Sequence, residues 1–440
     1  MGYFSIVEIV TFLFAILGFT WVLFLIINYL LSDKFFAITV TILLSYLFFN
    51  GHLIYLFFEQ KLNSYEYFSS QIINRFSLIT FIFVLLIVII ASAYKIFARF
   101  RRRIIQSFIL FIGLSLIVEV FLAFKAKTFM VAKTPVLKTE FTSKSINFPN
   151  IYYIIFDSYT SPESLNRYFN YSDERFMNYL KHEKFNCSLT SHSNYASTPF
   201  CMASYLNLRW EKLPSMNQKE NLYACLSSIR NNSVVSFLRS KNYQIKNFSL
   251  FKIENEANSY VFFPEVSIWG NSLPFLLYRI ARKLINPIPI LSNNFAVINE
   301  LVSQTKVNTS DRTFTYAHLM TPHSPYILDS LGSLQKEDET PDKMKYLSQL
   351  KYTNKIMIYL ITSIVSNDPT AVIIIQGDHG YRGLDNFVDK RNEAHTLFNI
   401  MYIGGNKIPN ETLKYLDNPI NNFRIVFNMY FGMKLELLKN

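Results

Sequence analysis

The chain has 440 residues, of which 50% are hydrophobic and only 17% charged, where an average soluble domain carries roughly 25% charge. With a mean hydropathy of +0.18, this excludes an intrinsically disordered chain and argues against a wholly soluble one. The net charge of +12 is densest ahead of residue 148, where 13 Lys and Arg stand against 6 Asp and Glu. Basic residues in so apolar a region set membrane topology, and no interleaved basic–aromatic motif points to a nucleic acid.

In chain order, the first elements are four apolar runs, Ile9–Ser32, Phe35–Phe58, Phe76–Tyr94 and Ile104–Phe124. Each is long enough for a helix that crosses a bilayer, which takes about 20 residues. The first three hold no charged residue and the fourth holds only Glu119. Residues 1–125 are therefore expected to form a four-span α-helical membrane bundle. The first run is too long for a cleavable signal peptide and lacks a basic start and a small-residue cleavage site. Lys95, Arg99, Arg101, Arg102 and Arg103 between spans three and four mark a cytoplasmic loop. Everything after Lys125 is then extracytoplasmic, anchored to the cell membrane. Asn50, His52 and Glu119 either pair within the bundle or serve the access of a lipid substrate.

Residues 126–147 read as a polar connector, and 148–440 as one extracytoplasmic domain with enough chain for a large core. Ile151–Phe156 is a β-rich apolar run ending at Asp157, with Ser161 as N-cap and Pro162 as first residue of the helix that follows. Phe314–Met320 leads into Thr321-Pro322-His323, and Ala371–Gln376 into Gly377-Asp378-His379-Gly380. Helical segments such as Asn231–Lys241 and Tyr346–Ser366 lie between these strands, so an α/β sheet is expected. Ligands of such sheets bind beyond the carboxyl ends of strands. Asp157, His323 and the Asp378–His379 pair all arrive there. Two Asp and one His suit Zn²⁺ or Mn²⁺, and the flanking glycines permit close approach of backbone.

Ser191–Asn207 supplies the nucleophile candidate. Thr198 before Pro199 reads as a helix N-cap, with Pro199 at the first helical position. A hydroxyl there faces free N–H groups and the positive end of the helix dipole, which favour an alkoxide and a phosphate.

Asp157 after the first strand, Ser193-Asn194-Tyr195 with Thr198 before a helix, Pro322-His323 and then Gly377-Asp378-His379-Gly380 form an ordered set. In that order the chain resembles the alkaline phosphatase/sulfatase superfamily. The likeness is to its membrane-anchored branch, the lipoteichoic acid synthases and lipid A phosphoethanolamine transferases, and covers roughly residues 148–405 plus the anchor. It implies a sulfatase-like, three-layer α/β domain. It also implies that Asp157, Thr198, Asp378 and His379 bind one divalent metal, with Thr198 as nucleophile. His323 would hydrogen-bond the phosphate or protonate a leaving group. His395 would be a further ligand or a phosphate contact. Arg382 would hold a phosphate oxygen, a solvated loop being the other reading. The Asp-x-x-x-His pair of two-metal members is missing, which favours one ion. Ser197-Thr198-Pro199-Phe200-Cys201 lacks the Arg of the sulfatase pattern, which disfavours a sulfatase.

Of the other histidines, His318 reads as packed within its strand, His192 as a substrate contact or a loop residue, and His182 as solvent-facing. Cys201 reads as packed, while Cys187 and Cys225 could pair in an oxidising compartment. The basic amphipathic stretch Ser272–Ile285 reads as a surface helix or as one lying on the membrane. The resemblance, with the expected membrane anchor, implies transfer of phosphoethanolamine or glycerol phosphate from a phospholipid to a surface glycan or lipid. The alternatives are a sulfatase-like phosphodiesterase, or a non-catalytic scaffold in envelope assembly.

Overall fold

The computed structural model describes residues 6–31 and parts of 33–49, then 148–212, 218–257, 289–305, 312–335, 339–404 and 406–439. The chain divides into two compact units, Met1–Val131 with Phe263–Pro287, and Ala132–Phe262 with Ile288–Asn440.

In the first unit the helix Ile6–Leu30 covers most of the first expected span, and helical residues recur between Lys34 and Phe49, within the second. Phe19 stacks on Phe48 at 4.0 Å between ring centroids. Phe14, Leu17, Trp21, Ile26 and Leu30 are exposed. Among the described residues no helix is long and apolar enough to cross a membrane, so the four-span bundle is not seen. The expected spans 76–94 and 104–124, the basic loop 95–103, Asn50, His52, Glu119, the connector 126–147 and the stretch 272–285 lie outside the described residues.

The second unit is built on a mixed sheet of β1 (Ile151–Phe156), β2 (Asn186–Ser188), β3 (Gln244–Phe248), β4 (Thr313–Leu319), β5 (Val372–Gln376) and β6 (Asn399–Ile403). Their order is β2-β6-β5-β1-β4-β3. β1 is central and parallel to β4 and β5, β3 is parallel to β4, and β6 runs antiparallel to β5 and β2. β1 is buried throughout, as expected for an apolar run without polar alternation that has helices over both faces.

Alternate residues of each strand serve opposite layers. Tyr152, Ile154 and Phe156, with Ala317, Leu319, Ile373 and Ile375, join the largest apolar cluster. Leu165, Phe176, Leu301, Leu350, Met357 and Ile361 close it from helices Pro162–Phe169, Glu174–His182, Pro289–Thr305 and Asp342–Asn367. Each fully buried aliphatic or aromatic side chain contributes roughly 1.5–3 kcal/mol. On the opposite face Tyr153 stacks on Tyr316 and meets Phe423 edge-on. Phe423 lies on the helix Asn421–Phe431, whose Phe427 touches Phe237 of helix Ser233–Ser240. These layers make the expected α/β sheet domain. Ser161 caps helix Pro162–Phe169 by accepting from Ser164 N–H, as its sequence implies. All three cysteines are free, so Cys187 and Cys225 are not joined. Cys201 is buried and His182 is exposed at the end of its helix.

Candidate active site

The parallel register of β1, β4 and β5 sets out the site. Ile155 pairs with His318 on one side and with Gln376 on the other. Two residues beyond this row, on the same face, lie Asp157 and Asp378. Asp157 N–H donates to Leu319 O at 2.9 Å, which carries the register past the strand end. A side chain at Gly377 would collide with Tyr159 O, and one at Gly380 with Glu393 O and Thr396 O. Both glycines are thus required by close backbone approach on either side of Asp378–His379.

Ligand atoms of Asp157, Asp378 and His379 all lie within 4.8 Å of one another, and all three residues are buried. His379 Nδ1 donates to Gly380 O at 2.8 Å, since a carbonyl only accepts; its Nε2 then faces Asp378 Oδ2 at 3.4 Å. Ser158 N–H donates to Asp378 Oδ1 at 2.9 Å. Asp378 Oδ2 is buried and finds no hydrogen-bond partner among the described residues. Burial by itself would raise the Asp157 carboxyl; the imidazoles of His323, His318 and His379 more than offset this and hold it well below the usual carboxylate range. Burial lowers His379, against the opposing pull of Asp378 and Asp157, and so favours the ring form that can ligate. Two buried carboxylates with one orphaned oxygen are costly unless a cation neutralises them. With an imidazole beside them they suit a divalent ion.

Thr198 reaches the same group. Its hydroxyl lies 3.4 Å from Asp157 Oδ2 and 3.4 Å from His379 Nε2. The expectation that Thr198 is the N-cap is corrected by the helix geometry. The helix is Thr198–Leu206, and extended Ser197 is the cap residue, without a side-chain capping bond. Ser197 O accepts from Phe200 N–H and Cys201 N–H. Thr198 is therefore the first helical residue, and its hydroxyl faces the Asp157 carboxylate. Cys201, where the sulfatase pattern has Arg, donates to Tyr195 O from the buried side of the helix; burial pushes its thiol up to about 12.

His323 and Arg382 meet on the exposed side. His323 Nδ1 donates to Ser324 O at 2.5 Å, and Arg382 donates to its Nε2 at 3.1 Å. That Nε2 lies 3.9 Å from Asp157 Oδ1, and Arg382 also donates to Ala196 O, two residues before Thr198. His395 joins a different wall. Its Nδ1 donates to Ser193 O at 2.7 Å and its ring stacks on His192 at 6.3 Å. His192 itself holds the loop through its backbone, donating to Asp417 O.

His318 is the residue that sequence reasoning misses. Its Nε2 lies 3.3 Å from Asp157 Oδ2. Strand parity carries the missing signal: His318 occupies the row of Ile155, and Ile155 shares its face with Asp157.

Comparison by sequence finds no matching protein-family model and no matching curated protein. Comparison by structure does find similar folds. The structural neighbours include phosphoethanolamine transferases, a lipoteichoic acid synthase and a putative sulfatase. The chain is similar to the zinc complex of the periplasmic domain of EptC from Escherichia coli, at 8% identity and a TM-score of 0.41, over 66% of this chain and 84% of that one. It is similar to the lipoteichoic acid synthase LtaP from Listeria monocytogenes at 13% identity and 0.36, over 59% and 67%. It is similar to the integral membrane lipooligosaccharide phosphoethanolamine transferase EptA from Neisseria meningitidis at 13% and 0.34, over 75% and 62%. These are likenesses of fold.

Proposed function

We propose that the protein is a metal-dependent membrane transferase. It would move a phosphorylated alcohol, phosphoethanolamine or glycerol phosphate, from a phospholipid to a glycan or lipid of the cell envelope through a phospho-threonine intermediate. The observation that carries this reading is the hydroxyl of Thr198 at 3.4 Å from both Asp157 and His379, inside a buried carboxylate–imidazole group. Asp157, Asp378 and His379, with Thr198, would hold one Zn²⁺ or Mn²⁺. Such an ion supplies charge that lowers the pKa of a hydroxyl and neutralises a phosphoryl group.

Thr198 Oγ1, its proton released to water, would form a bond to phosphorus, while the bond from phosphorus to the diacylglycerol oxygen breaks. His323, on the open side with Arg382, would protonate that leaving oxygen or hold a phosphoryl oxygen once its Nε2 has taken up a proton from water. In the second half the acceptor hydroxyl would attack phosphorus, and its proton would pass through water to the departing Thr198 Oγ1. Water in place of the acceptor gives the phosphodiesterase variant. His395, bonded to the backbone of Ser193 ahead of the nucleophile, would contact substrate from the loop side. Full-length protein should turn over a lipid or nitrophenyl phosphodiester, lose that activity to a chelator and regain it with Zn²⁺ or Mn²⁺. Turnover undiminished after the metal is stripped would defeat the reading.

A lipid donor requires access from the bilayer, which the four apolar runs of residues 1–125 would provide. The exposed Phe14, Leu17, Trp21 and Leu25 on one face of the first helix support burial of that face in lipid. Residues 148–440 would then lie outside the cytoplasm, by the charge of the 95–103 loop. A reporter active only outside the cytoplasm, fused after Asn440, is expected to be active. Activity of a cytoplasm-only reporter at that point would reverse the topology.

A further inference from the structure

His318 is buried in β4, where a polar ring needs a reason. Its Nε2 lies 3.3 Å from Asp157 Oδ2. The edge of Phe251 packs against the ring at 5.9 Å between centroids, which fixes its plane. Its Nδ1 is buried and finds no hydrogen-bond partner among the described residues. A bare lone pair at Nδ1 costs less than an orphaned N–H there with the Nε2 lone pair facing a carboxylate. The ring proton therefore sits on Nε2, and His318 donates to Asp157.

Both carboxylates of the candidate metal centre are oriented by protein donors. Ser158 N–H holds Asp378 Oδ1, and Asp378 Oδ2 turns to His379 Nε2 at 3.4 Å. His318 holds Asp157 Oδ2, while Asp157 Oδ1 accepts from Ser158 Oγ at 3.1 Å and lies 3.8 Å from the same Nε2. Asp378 is tied through one oxygen and Asp157 through both, and His318 fixes the Oδ2 end of Asp157. We infer that His318 is a positioning residue of this centre: by donating to Asp157 it sets the orientation in which that carboxylate meets the cation. The usual arrangement, a carboxylate orienting a ligand histidine, is here reversed. The inference rests on the metal reading above.

Zinc affinity of the full-length protein in detergent, measured by competition with a chromophoric chelator, tests it. His318→Gln keeps an N–H donor near the position of Nε2, whereas His318→Asn ends its amide near Nδ1 and cannot reach Asp157. His318→Asn should bind zinc about 10–100-fold more weakly than wild type, the usual cost of removing an outer-shell partner. His318→Gln should recover most of that loss, and the two stripped variants should unfold at similar temperatures. His318→Asn with wild-type affinity, or His318→Gln as weak as His318→Asn, would overturn the assignment. Wild-type protein that binds no zinc would instead overturn the metal reading itself, and the inference with it.

Discussion

Thr198→Ala should abolish both transfer and hydrolysis of a phosphodiester, by about a thousandfold or more, because a covalent nucleophile cannot be replaced by a neighbouring group. Thr198→Ser keeps the hydroxyl and should retain activity. The sharper comparison is with Ser197. It sits one residue earlier, in extended backbone, and makes no side-chain capping bond. The hydroxyl that faces Asp157 Oδ2 and His379 Nε2 belongs to Thr198. Ser197→Ala should therefore keep substantial activity. Steady-state rates of the three purified variants decide the matter. A fully active Thr198→Ala enzyme would end the covalent mechanism.

Asp378→Asn should strip the protein of its metal. Oδ1 of Asp378 accepts from Ser158 N–H, so the amide oxygen of an asparagine must take that place. The amide NH₂ is then forced into the position of Oδ2, the oxygen without a partner that turns to His379. A donor there faces the cation and repels it, so the loss exceeds that of a missing ligand alone. Zinc affinity should fall more than about a hundredfold, beyond the cost of losing an outer-shell group. The chelator-stripped variant should be at least as stable as stripped wild type, because one of two buried carboxylates has lost its charge. Elemental analysis and thermal unfolding together check both halves. Stoichiometric metal in Asp378→Asn would remove Asp378 from the centre.

Much of the domain is legible in the sequence because its central strands are unalloyed. Ile151–Phe156 carries no polar residue, so a buried strand is its natural reading, and the break at Asp157 marks the sheet edge. Ser161-Pro162 announces a helix start and forms one. The acids and histidines after the strands are conspicuous because each follows closely on the end of an apolar run. The start of the helix at Thr198 is less legible, since Ser197 and Thr198 are both good caps. Only the backbone, with Ser197 O accepting the first helical N–H groups, separates them. His318 is hidden for a different reason. Between Ala317 and Leu319 it looks like an ordinary strand interior. Its meaning depends on pairing with Ile155, a long-range fact that no local pattern holds. The likeness of His323 to a phosphate contact is readable from Pro322-His323, but its tie to Arg382 is not, because the two are joined only in three dimensions.

The account stands most directly on where phosphorus becomes bound. Protein incubated with donor phospholipid and quenched in acid before acceptor is added can be digested and mapped by mass spectrometry. The mechanism puts a phosphodiester of the transferred alcohol on Thr198, absent from Thr198→Ala and from metal-stripped protein. An adduct on Ser197, or turnover with no adduct on the peptide that holds both residues, would contradict it.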